Sequence, residues 1–280
     1  MNVIYCRAER GLVWYSIHGM KLKWYGTAAI LLEHDGTKLL FDPFLFLRDE
    51  CLKPPVEELS TIENILVTHG HLDHISDIPA ILKRGDGTAT VFCTAKPRET
   101  LISKGVDETR IRQITPGDCL GFRPFEVRVL KGKHIVFDKW LVIKTFFNPR
   151  VLANRDNLRY LLKENRICTE AGETVVYDIG VADKRILLLG SLNLDDNTEY
   201  PEGADLLILP FQGRSDISKY AMPFIERLQP KKILLDHFDD GFPPISSNVK
   251  TGPFIQLMRR EYPGIPVICT QAGFEQFIPI

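Results

Sequence analysis

His69-Gly70-His71-Leu72-Asp73-His74 is the most informative segment of the chain, because it places three of the chain's seven histidines and one carboxylate within six positions. Neutral imidazole nitrogens with a carboxylate oxygen suit Zn²⁺ or a similar first-row ion, whereas Ca²⁺ and Mg²⁺ take mostly oxygen ligands. Donors this close in sequence cannot all reach one tetrahedral ion without strain. They can be divided between two ions, so the stretch predicts a site for two neighbouring metals.

The histidine cluster lies between an apolar run and a helical pattern. Residues 62–68 before it are typical of a buried strand, and Ile75, Ile78 and Ile81 after it fall at helical spacing. This order predicts that the cluster forms a loop at the carboxyl end of a strand. Ligand sites of layered α/β folds lie at that end of their strands.

Short strand-like runs and helical patterns are interleaved along the whole chain, without the strict alternation of a purely parallel sheet. Turn residues at 33–37 and 177–184 predict two hairpins. The pattern therefore predicts an α/β fold of two mixed sheets with helices outside. The predicted strands are 28–32, 38–41, 90–94, 127–130, 140–147, 174–179, 185–189, 206–209, 233–235 and 267–269. The predicted helices are 75–83, 97–104, 155–165, 216–228 and 252–262.

Length and composition indicate one globular domain. A chain of 280 residues with 44% hydrophobic content can bury a substantial core, and neither a flexible linker nor an internal repeat divides it. We expect residues 21–280 to form a single domain. Residues 1–20 are expected to be an N-terminal extension, interpreted either as an added strand or as a contact in a homo-oligomer.

The charge balance and the cysteines exclude several classes of protein. The 35 basic and 36 acidic residues give a net charge of −1, which argues against a broad nucleic-acid-binding surface. The six cysteines show no C-x-x-C spacing and are interpreted as reduced thiols. No apolar run reaches the roughly 18 residues that span a bilayer, and the first residues lack the apolar segment of a signal peptide. We therefore expect a cytoplasmic protein with no membrane contact.

Two further histidines follow predicted strands. His134 comes after the run at residues 127–130, and His237 directly follows Asp236 at the end of another run. Because the metal cluster is also at a strand end, we expect both histidines to be ligands rather than core residues. His18 has no other donor nearby in sequence and is interpreted as a surface or core histidine.

The order of these residues resembles that of the metallo-β-lactamase superfamily over residues 21–280. The resemblance rests on the histidine cluster, on His134, on a strand ending in Leu189-Gly190-Ser191 and on His237. It implies a four-layer αββα sandwich of two mixed β-sheets flanked by helices, with a two-metal site along one edge of the sheets.

The resemblance also implies roles for single residues. Asp42, in Phe41-Asp42-Pro43, would support the site from behind the ligands. The first ion would be bound by His69, His71 and His134, and the second by Asp73, His74 and His237.

Ser191 departs from the superfamily pattern. Most hydrolases of the superfamily have an Asp here that bridges both metals, and a neutral hydroxyl is a poor bridge. The pattern is similar to that of one metallo-β-lactamase subclass that has Ser at this position. We therefore expect one or two Zn²⁺ ions per chain, with Mn²⁺ or Fe²⁺ as alternatives. Asp195 and Asp196 would either compensate for the missing carboxylate or form an exposed acidic turn, and the turn is favoured.

The expected function is hydrolysis of a small anionic ester, lactone or phosphoester by a zinc-activated water. Asp73 is the predicted catalytic residue, which would bind the second ion and orient the water or accept its proton. Arg214, together with nearby lysines such as Lys131 and Lys133, is interpreted either as a contact for a substrate phosphate or carboxylate or as a set of solvated surface charges. Asp239 is a candidate for shaping the pocket.

Three finer interpretations stay open. Trp24-Tyr25-Gly26 and the segment from Leu235 to Asp240 resemble the branch of the superfamily that includes the ascorbate-6-phosphate lactonases. A nuclease or phosphodiesterase of the same superfamily is an alternative, which the neutral charge balance disfavours. A non-catalytic metal-binding scaffold is another, although six donors are more than a structural zinc site needs.

Overall fold

Two mixed β-sheets stack against each other, with helices on their outer faces. The computed structural model describes residues 20–44, 56–138, 143, 149, 151, 155–242 and 246–270. The strands of the first sheet lie in chain order: β1 (Lys21–Gly26), β2 (Ala29–His34), β3 (Thr37–Phe41), β4 (Asn64–Leu66), β5 (Thr90–Cys93) and β6 (Ile111–Gln113). The β1–β2 and β2–β3 pairs are antiparallel, and the pairs from β3 to β6 are parallel.

The second sheet has a related mixture of strand directions. Its strands are β7 (Cys119–Phe122), β8 (Phe125–Lys131), β9 (Val175–Val181), β10 (Lys184–Leu189), β11 (Leu206–Pro210), β12 (Ile233–Asp236) and β13 (Val267–Ile268), which lie side by side in the reverse of chain order. The pairs from β7 to β10 are antiparallel and those from β10 to β13 are parallel.

The helices cover both outer faces. They are α1 (Val56–Ser60), α2 (Leu72–Ile75), α3 (Ile78–Arg84), α4 (Ala95–Ser103), α5 (Arg155–Glu164), α6 (Ile217–Tyr220), α7 (Met222–Leu228) and α8 (Gly252–Glu261), with a 3₁₀ turn at Glu108–Arg110. Within the described residues, no helix is both long and apolar enough to cross a lipid bilayer.

Three apolar clusters fill the spaces between the layers. Phe41 of the first sheet and Tyr177 of the second are fully buried in the central cluster, with ring centroids 5.5 Å apart. A second cluster joins the first sheet to α1, α3, α4 and α5, and a third joins the second sheet to α6, α7 and α8. This order of layers confirms the expected four-layer αββα sandwich.

The differences from the predicted elements have local causes. The predicted helices 75–83 and 216–228 are each divided, because Pro79 and Pro223 lie in the first turn of α3 and α7, where proline starts a helix rather than continues one. The predicted hairpin at 33–37 turns through Asp35 and Gly36, which both have positive φ (47° and 78°), as a tight two-residue turn requires. Of the predicted strand at 140–147, only Ile143 is described, and it is helical. The N-terminal extension, apart from Met20, lies outside the described residues.

Candidate metal centre

Six side chains that could bind metal meet beyond the carboxyl ends of strands from both sheets. They form two groups of three, and within each group the possible ligand atoms lie within 4.8 Å of one another. The first triad comprises His69, His71 and His134, and the second comprises Asp73, His74 and His237. The structure therefore brings together all six predicted ligands in the predicted grouping.

The three rings of the first triad face one another. Nε2 of His69 is 3.1 Å from Nδ1 of His71. The ring centroid of His134 is 5.1 Å from that of His69 and 4.6 Å from that of His71. One possible ligand nitrogen of each ring lies within 4.8 Å of the other two, which is close enough for one ion to contact all three.

Hydrogen bonds on the far side of two rings fix which nitrogen is free. Nδ1 of His134 is 2.9 Å from the carbonyl oxygen of Ile135, which can only accept, so this nitrogen carries the proton. Nδ1 of His69 is 3.0 Å from the hydroxyl of Thr68. The Nε2 atoms of His134 and His69 are thereby left available, as metal-ligating histidines require.

The second triad is built around a carboxylate. One oxygen of Asp73 is 3.2 Å from Nε2 of His237, and the other is 3.9 Å from Nε2 of His74. Asp73 and His74 lie within the short helix α2, whereas His237 directly follows β12. The side-chain nitrogen of Gln212 lies 3.4 Å from Nε2 of His237.

Burial keeps the first triad unprotonated. It lowers the pKa of His69 well below the ordinary value, and the neighbouring imidazoles lower it further. Burial also lowers the pKa of His71 to about 4 and lowers the pKa of His134. These histidines are therefore neutral at physiological pH, which is the form that binds a metal.

The second triad has the opposite electrostatic character. Burial alone would lower the pKa of His74, but the carboxylates of Asp42 and Asp73 raise it above the ordinary value. Burial alone would raise the pKa of Asp73, but His74 and His237 hold it well below its ordinary value. In the absence of an ion, Asp73 is thus ionised and His74 has an increased tendency to hold a proton.

A buried threonine that sequence reasoning missed connects Asp42 to the histidine cluster. The Thr68 hydroxyl donates to Oδ2 of Asp42 at 2.6 Å, and the Thr68 amide donates to Oδ1 at 2.7 Å. Asp42 is thereby bound to the residue that directly precedes the histidine cluster. The signal in the sequence was a hydroxyl residue placed between an apolar strand and the first histidine.

Two close backbone contacts near the histidine cluster require glycine, at Gly190 and at Gly70. A Cβ on Gly190 would lie 2.4 Å from Cβ of Thr68 and 2.8 Å from the carbonyl oxygen of Val175. A Cβ on Gly70 would lie 2.3 Å from the carbonyl oxygen of Thr169. Backbone atoms form part of both contacts, so the absence of a side chain allows the layers to approach this closely.

The β1–β2 turn holds His237 in place. Thr27, which has φ +48°, accepts hydrogen bonds on its carbonyl from the His237 amide and from the Trp24 indole, both at 2.8 Å. The Thr27 amide donates to the carboxylate of Asp239 at 2.9 Å. Asp239 is therefore bound to the turn rather than aimed into the pocket. His237 itself has a left-handed backbone conformation (φ 57°).

Both triads line one cavity of about 1210 Å³. Ile135, Phe137 and Phe242 contribute apolar walls, whereas Lys219 and Lys250 contribute positive charge. Within the part of the chain that the structure describes, neither lysine has an ion-pair partner.

Arg214, the candidate contact for a substrate anion, is paired with a carboxylate of the protein itself. Arg214 lines the cavity, but Nε and Nη2 bind the two carboxylate oxygens of Asp216 at 2.6 and 2.9 Å. Its charge is therefore neutralised within the protein.

The acidic turn after β10 is also accounted for. Asp195 pairs with Lys131 at 2.9 Å and Asp196 pairs with Lys133 at 3.3 Å. The structure brings neither carboxylate into the two triads. Asp196 is exposed, whereas the Asp195 side chain is only 13% exposed.

Comparison with known families gives a match over most of the chain. The family model described as "Beta-lactamase superfamily domain" matches residues 37–238, which include all six residues of the triads. The chain belongs to the β-lactamase superfamily. This finding confirms the metallo-β-lactamase resemblance.

Relatives within the superfamily carry names that agree with the expected class of metal-dependent hydrolases. A "UPF0173 metal-dependent hydrolase" from Azorhizobium caulinodans is 30% identical over 166 residues, which are 59% of this chain and 64% of the relative. A UPF0173 protein from Pyrococcus furiosus is 27% identical over 226 residues, which are 78% of this chain and 83% of the relative. The match thus spans slightly less than two thirds of the first protein and most of the second.

Solved structures show the same superfamily fold. Igni18, described as a novel metallo hydrolase from Ignicoccus hospitalis, aligns with a TM-score of 0.60 and 18% identity over 93% of this chain and 99% of that chain. The metallo-β-lactamase fold protein YhfI from Bacillus subtilis aligns with a TM-score of 0.62 and 17% identity over 91% and 97% of the two chains. At these identities the likeness establishes the fold alone.

Proposed function

We propose that the protein is a metal-dependent hydrolase that cleaves an ester, lactone or phosphoester bond in a small anionic molecule. The observation that carries this proposal is the opening of both triads into one cavity. A structural zinc site is closed by its own ligands, whereas a catalytic site keeps a position open to water and substrate. Two adjacent triads on a shared cavity wall match the second arrangement.

The residues of the two triads fit one or two Zn²⁺ ions, with Mn²⁺ or Fe²⁺ as alternatives. Five imidazoles and one carboxylate are a donor set that borderline first-row ions prefer. In His69 and His134, Nδ1 makes a hydrogen bond behind the site, so Nε2 is the nitrogen that an ion would bind. When bound, such ions lower the pKa of water and stabilise negative charge that develops on a carbonyl or phosphoryl oxygen.

The protein's own groups would position the reactants. Asp73 is an ionised carboxylate at the cavity wall, where it can accept a hydrogen bond from the attacking water and orient it. The side chain of Gln212 borders the same space beside His237 and can donate a hydrogen bond to the substrate. The apolar walls formed by Ile135, Phe137 and Phe242 can exclude bulk water from the bond that is cleaved.

The anionic character of the substrate is proposed from the two lysines rather than from Arg214. Lys219 and Lys250 come from α6 and from the segment before α8, and both line the cavity. Their charges have no ion-pair partner among the described residues, so a phosphate or carboxylate of the substrate can supply one. Phosphorylated lactones are the first compounds to test, because of the resemblance in sequence to the ascorbate-6-phosphate lactonases.

A hydrolysis assay before and after removal of metal tests the proposed function. The panel contains a phosphorylated lactone, a carboxylate-bearing aryl ester and an aryl phosphodiester, each with the purified protein. We expect turnover of at least one substrate, loss of turnover after chelation and recovery when Zn²⁺ or Mn²⁺ is added back. Preference for the phosphodiester would favour the nuclease alternative.

Asp73→Ala provides the matched variant for the same assay. We expect it to lose at least about 100-fold in kcat while its melting temperature stays close to that of the parent protein. Asp86→Ala, which changes an exposed carboxylate outside the cavity, is the control. Bound metal without turnover of any substrate would support the scaffold alternative and contradict the proposed function.

A further inference from the structure

The segment that follows β10 makes contact with the backbone of a candidate metal ligand. We propose that Ser191 and Asn193 are positioning residues that hold His134 in place for the first ion. This inference rests on the proposed metal centre but requires no hydrolytic activity. Neither residue is placed among the two triads.

Both polar groups of one peptide bond are held by these two side chains. The amide of Ile135 donates to the hydroxyl oxygen of Ser191 at 3.0 Å. The side-chain nitrogen of Asn193 donates to the carbonyl oxygen of His134 at 3.0 Å. The amide and the carbonyl belong to the same His134–Ile135 peptide unit. Two hydrogen bonds at opposite ends of a planar unit fix its orientation.

The peptide needs side-chain partners because it lies beyond the end of the sheet. Strand β8 ends at Lys131, and residues 133–138 have no regular secondary structure. Gly132 makes an isolated antiparallel bridge to Leu194, which brings the segment after β10 alongside this loop. The bridge anchors the start of the loop. Beyond it, the backbone has no further strand partner among the described residues, and the side chains of Ser191 and Asn193 bind the loop instead.

The ring of His134 is held by the peptide unit that directly follows the one fixed by Ser191 and Asn193. Nδ1 of His134 donates to the carbonyl oxygen of Ile135, the residue whose amide Ser191 holds. His69, by contrast, is oriented through Thr68 and Asp42, which lie behind the other end of the cluster. The orientation of the His134 imidazole therefore follows the orientation of the backbone that Ser191 and Asn193 fix.

The geometry of Asn193 also favours a positioning role. Its side-chain oxygen accepts a hydrogen bond from the Leu194 amide at 2.9 Å, so both ends of its amide group are occupied. Ser191 is only 5% exposed, and its oxygen already accepts the Ile135 amide. At the position where the superfamily pattern has a bridging carboxylate, this chain thus has a hydroxyl that supports a ligand of the first triad.

A metal titration in two single-site backgrounds tests the proposal. His237→Ala removes a ligand of the second triad and leaves the first intact, whereas His71→Ala does the reverse. Zn²⁺ is titrated into each background by calorimetry, with and without Ser191→Ala or Asn193→Ala. We expect either change to weaken binding about 10- to 100-fold in the His237→Ala background, the usual effect of losing a group that orients a ligand. We expect no change in the His71→Ala background.

Two further variants separate positioning from general stability. Ser191→Thr keeps the hydroxyl and should restore most of the affinity. Thr198→Ala removes a side chain on the same segment that binds Asp195 rather than the His134 loop, so it should leave both affinities unchanged. Equal weakening in the two backgrounds, or unchanged affinity in Ser191→Ala, would overturn the proposal.

Hydrogen exchange provides a readout that needs no metal. In the metal-free protein, Ser191→Ala should increase the exchange rate of the Ile135 amide, because that amide loses its acceptor. An Ile135 amide that exchanges at the parental rate in Ser191→Ala would also contradict the proposal. A parent protein that binds metal and shows these effects but hydrolyses nothing would refute the proposed function and leave the positioning role intact.

Discussion

Oδ2 of Asp42 lies 2.9 Å from Nδ1 of His74, and both side chains are almost fully buried. The same oxygen accepts the hydroxyl of Thr68, which is 3.0 Å from Nδ1 of His69. A single carboxylate therefore orients one histidine of each triad, His74 directly and His69 through Thr68. The two candidate metal sites are coupled through the protein as well as through the cavity that they share.

This coupling predicts that Asp42→Asn weakens both sites together. Asparagine has the same shape and tolerates the left-handed backbone of Asp42 (φ 45°), but it lacks the negative charge. We expect Zn²⁺ affinity to fall by about 10- to 100-fold at each triad in a calorimetric titration. Asp35→Asn is the matched control, because Asp35 also has a left-handed backbone (φ 47°) but lies in an exposed turn. Weakening confined to one triad would show that the carboxylate does not couple them.

The close approach of Gly190 to Thr68 predicts a loss of stability in Gly190→Ala. The added Cβ would overlap Thr68 and the Val175 carbonyl, and the latter contact is with backbone. We expect a decrease of about 1–3 kcal/mol in the free energy of unfolding, measured with denaturant. Gly121→Ala is the control, because a Cβ there meets no atom within 4 Å. If Gly190→Ala were as stable as Gly121→Ala, the inferred packing between the two layers would be wrong.

The opposite pKa shifts of the two triads predict an order of metal release. As the pH falls, protons compete with the ion for His74 first, because nearby carboxylates raise the pKa of His74. Burial lowers the pKa of His71 to about 4, so the first triad stays neutral to lower pH. Elemental analysis after dialysis from about pH 8 to about pH 4 should show loss of the second-triad ion first. His71→Ala should then lose its remaining ion at higher pH than His237→Ala does, and the reverse order would contradict the prediction.

The unpaired lysines of the cavity predict charge-dependent binding. We expect Lys219→Gln and Lys250→Gln each to raise KM about tenfold for an anionic substrate, because a charge-assisted hydrogen bond contributes about 1.4 kcal/mol or more. A neutral ester of similar size should be unaffected. Lys83→Gln, an exposed lysine outside the cavity, is the control. A similar rise in KM for both substrates would indicate that the lysines do not contact the anionic group.

A metal centre could be predicted from the spacing of the histidines in the sequence. His69 to His74 lie on one loop, and His134 and His237 each follow an apolar run, so their convergence follows from where the strands end. The division into two triads required the superfamily resemblance, because short spacing alone does not assign donors to ions. The layered fold followed from the interleaving of strands and helices.

The supporting contacts could not be predicted because they join residues far apart in sequence. Asn193 binds the His134 carbonyl across 59 positions, and Asp239 binds the Thr27 amide across 212. Arg214 was a candidate contact for a substrate, but a neighbouring carboxylate neutralises it, a fact that depends on side-chain conformation. Strands β1, β6 and β7 were missed because none of them contains a long apolar run, and each is stabilised by pairing with a neighbouring strand.

The number of metal ions per chain directly tests whether the two triads bind metal. The protein is purified without chelator and analysed for Zn, Mn and Fe beside His71→Ala and His237→Ala. We expect one or two ions in the parent chain, with the first-triad ion lost in His71→Ala and the second-triad ion lost in His237→Ala. A parent chain without bound metal, or variants that retain the metal content of the parent, would contradict the proposed metal centre.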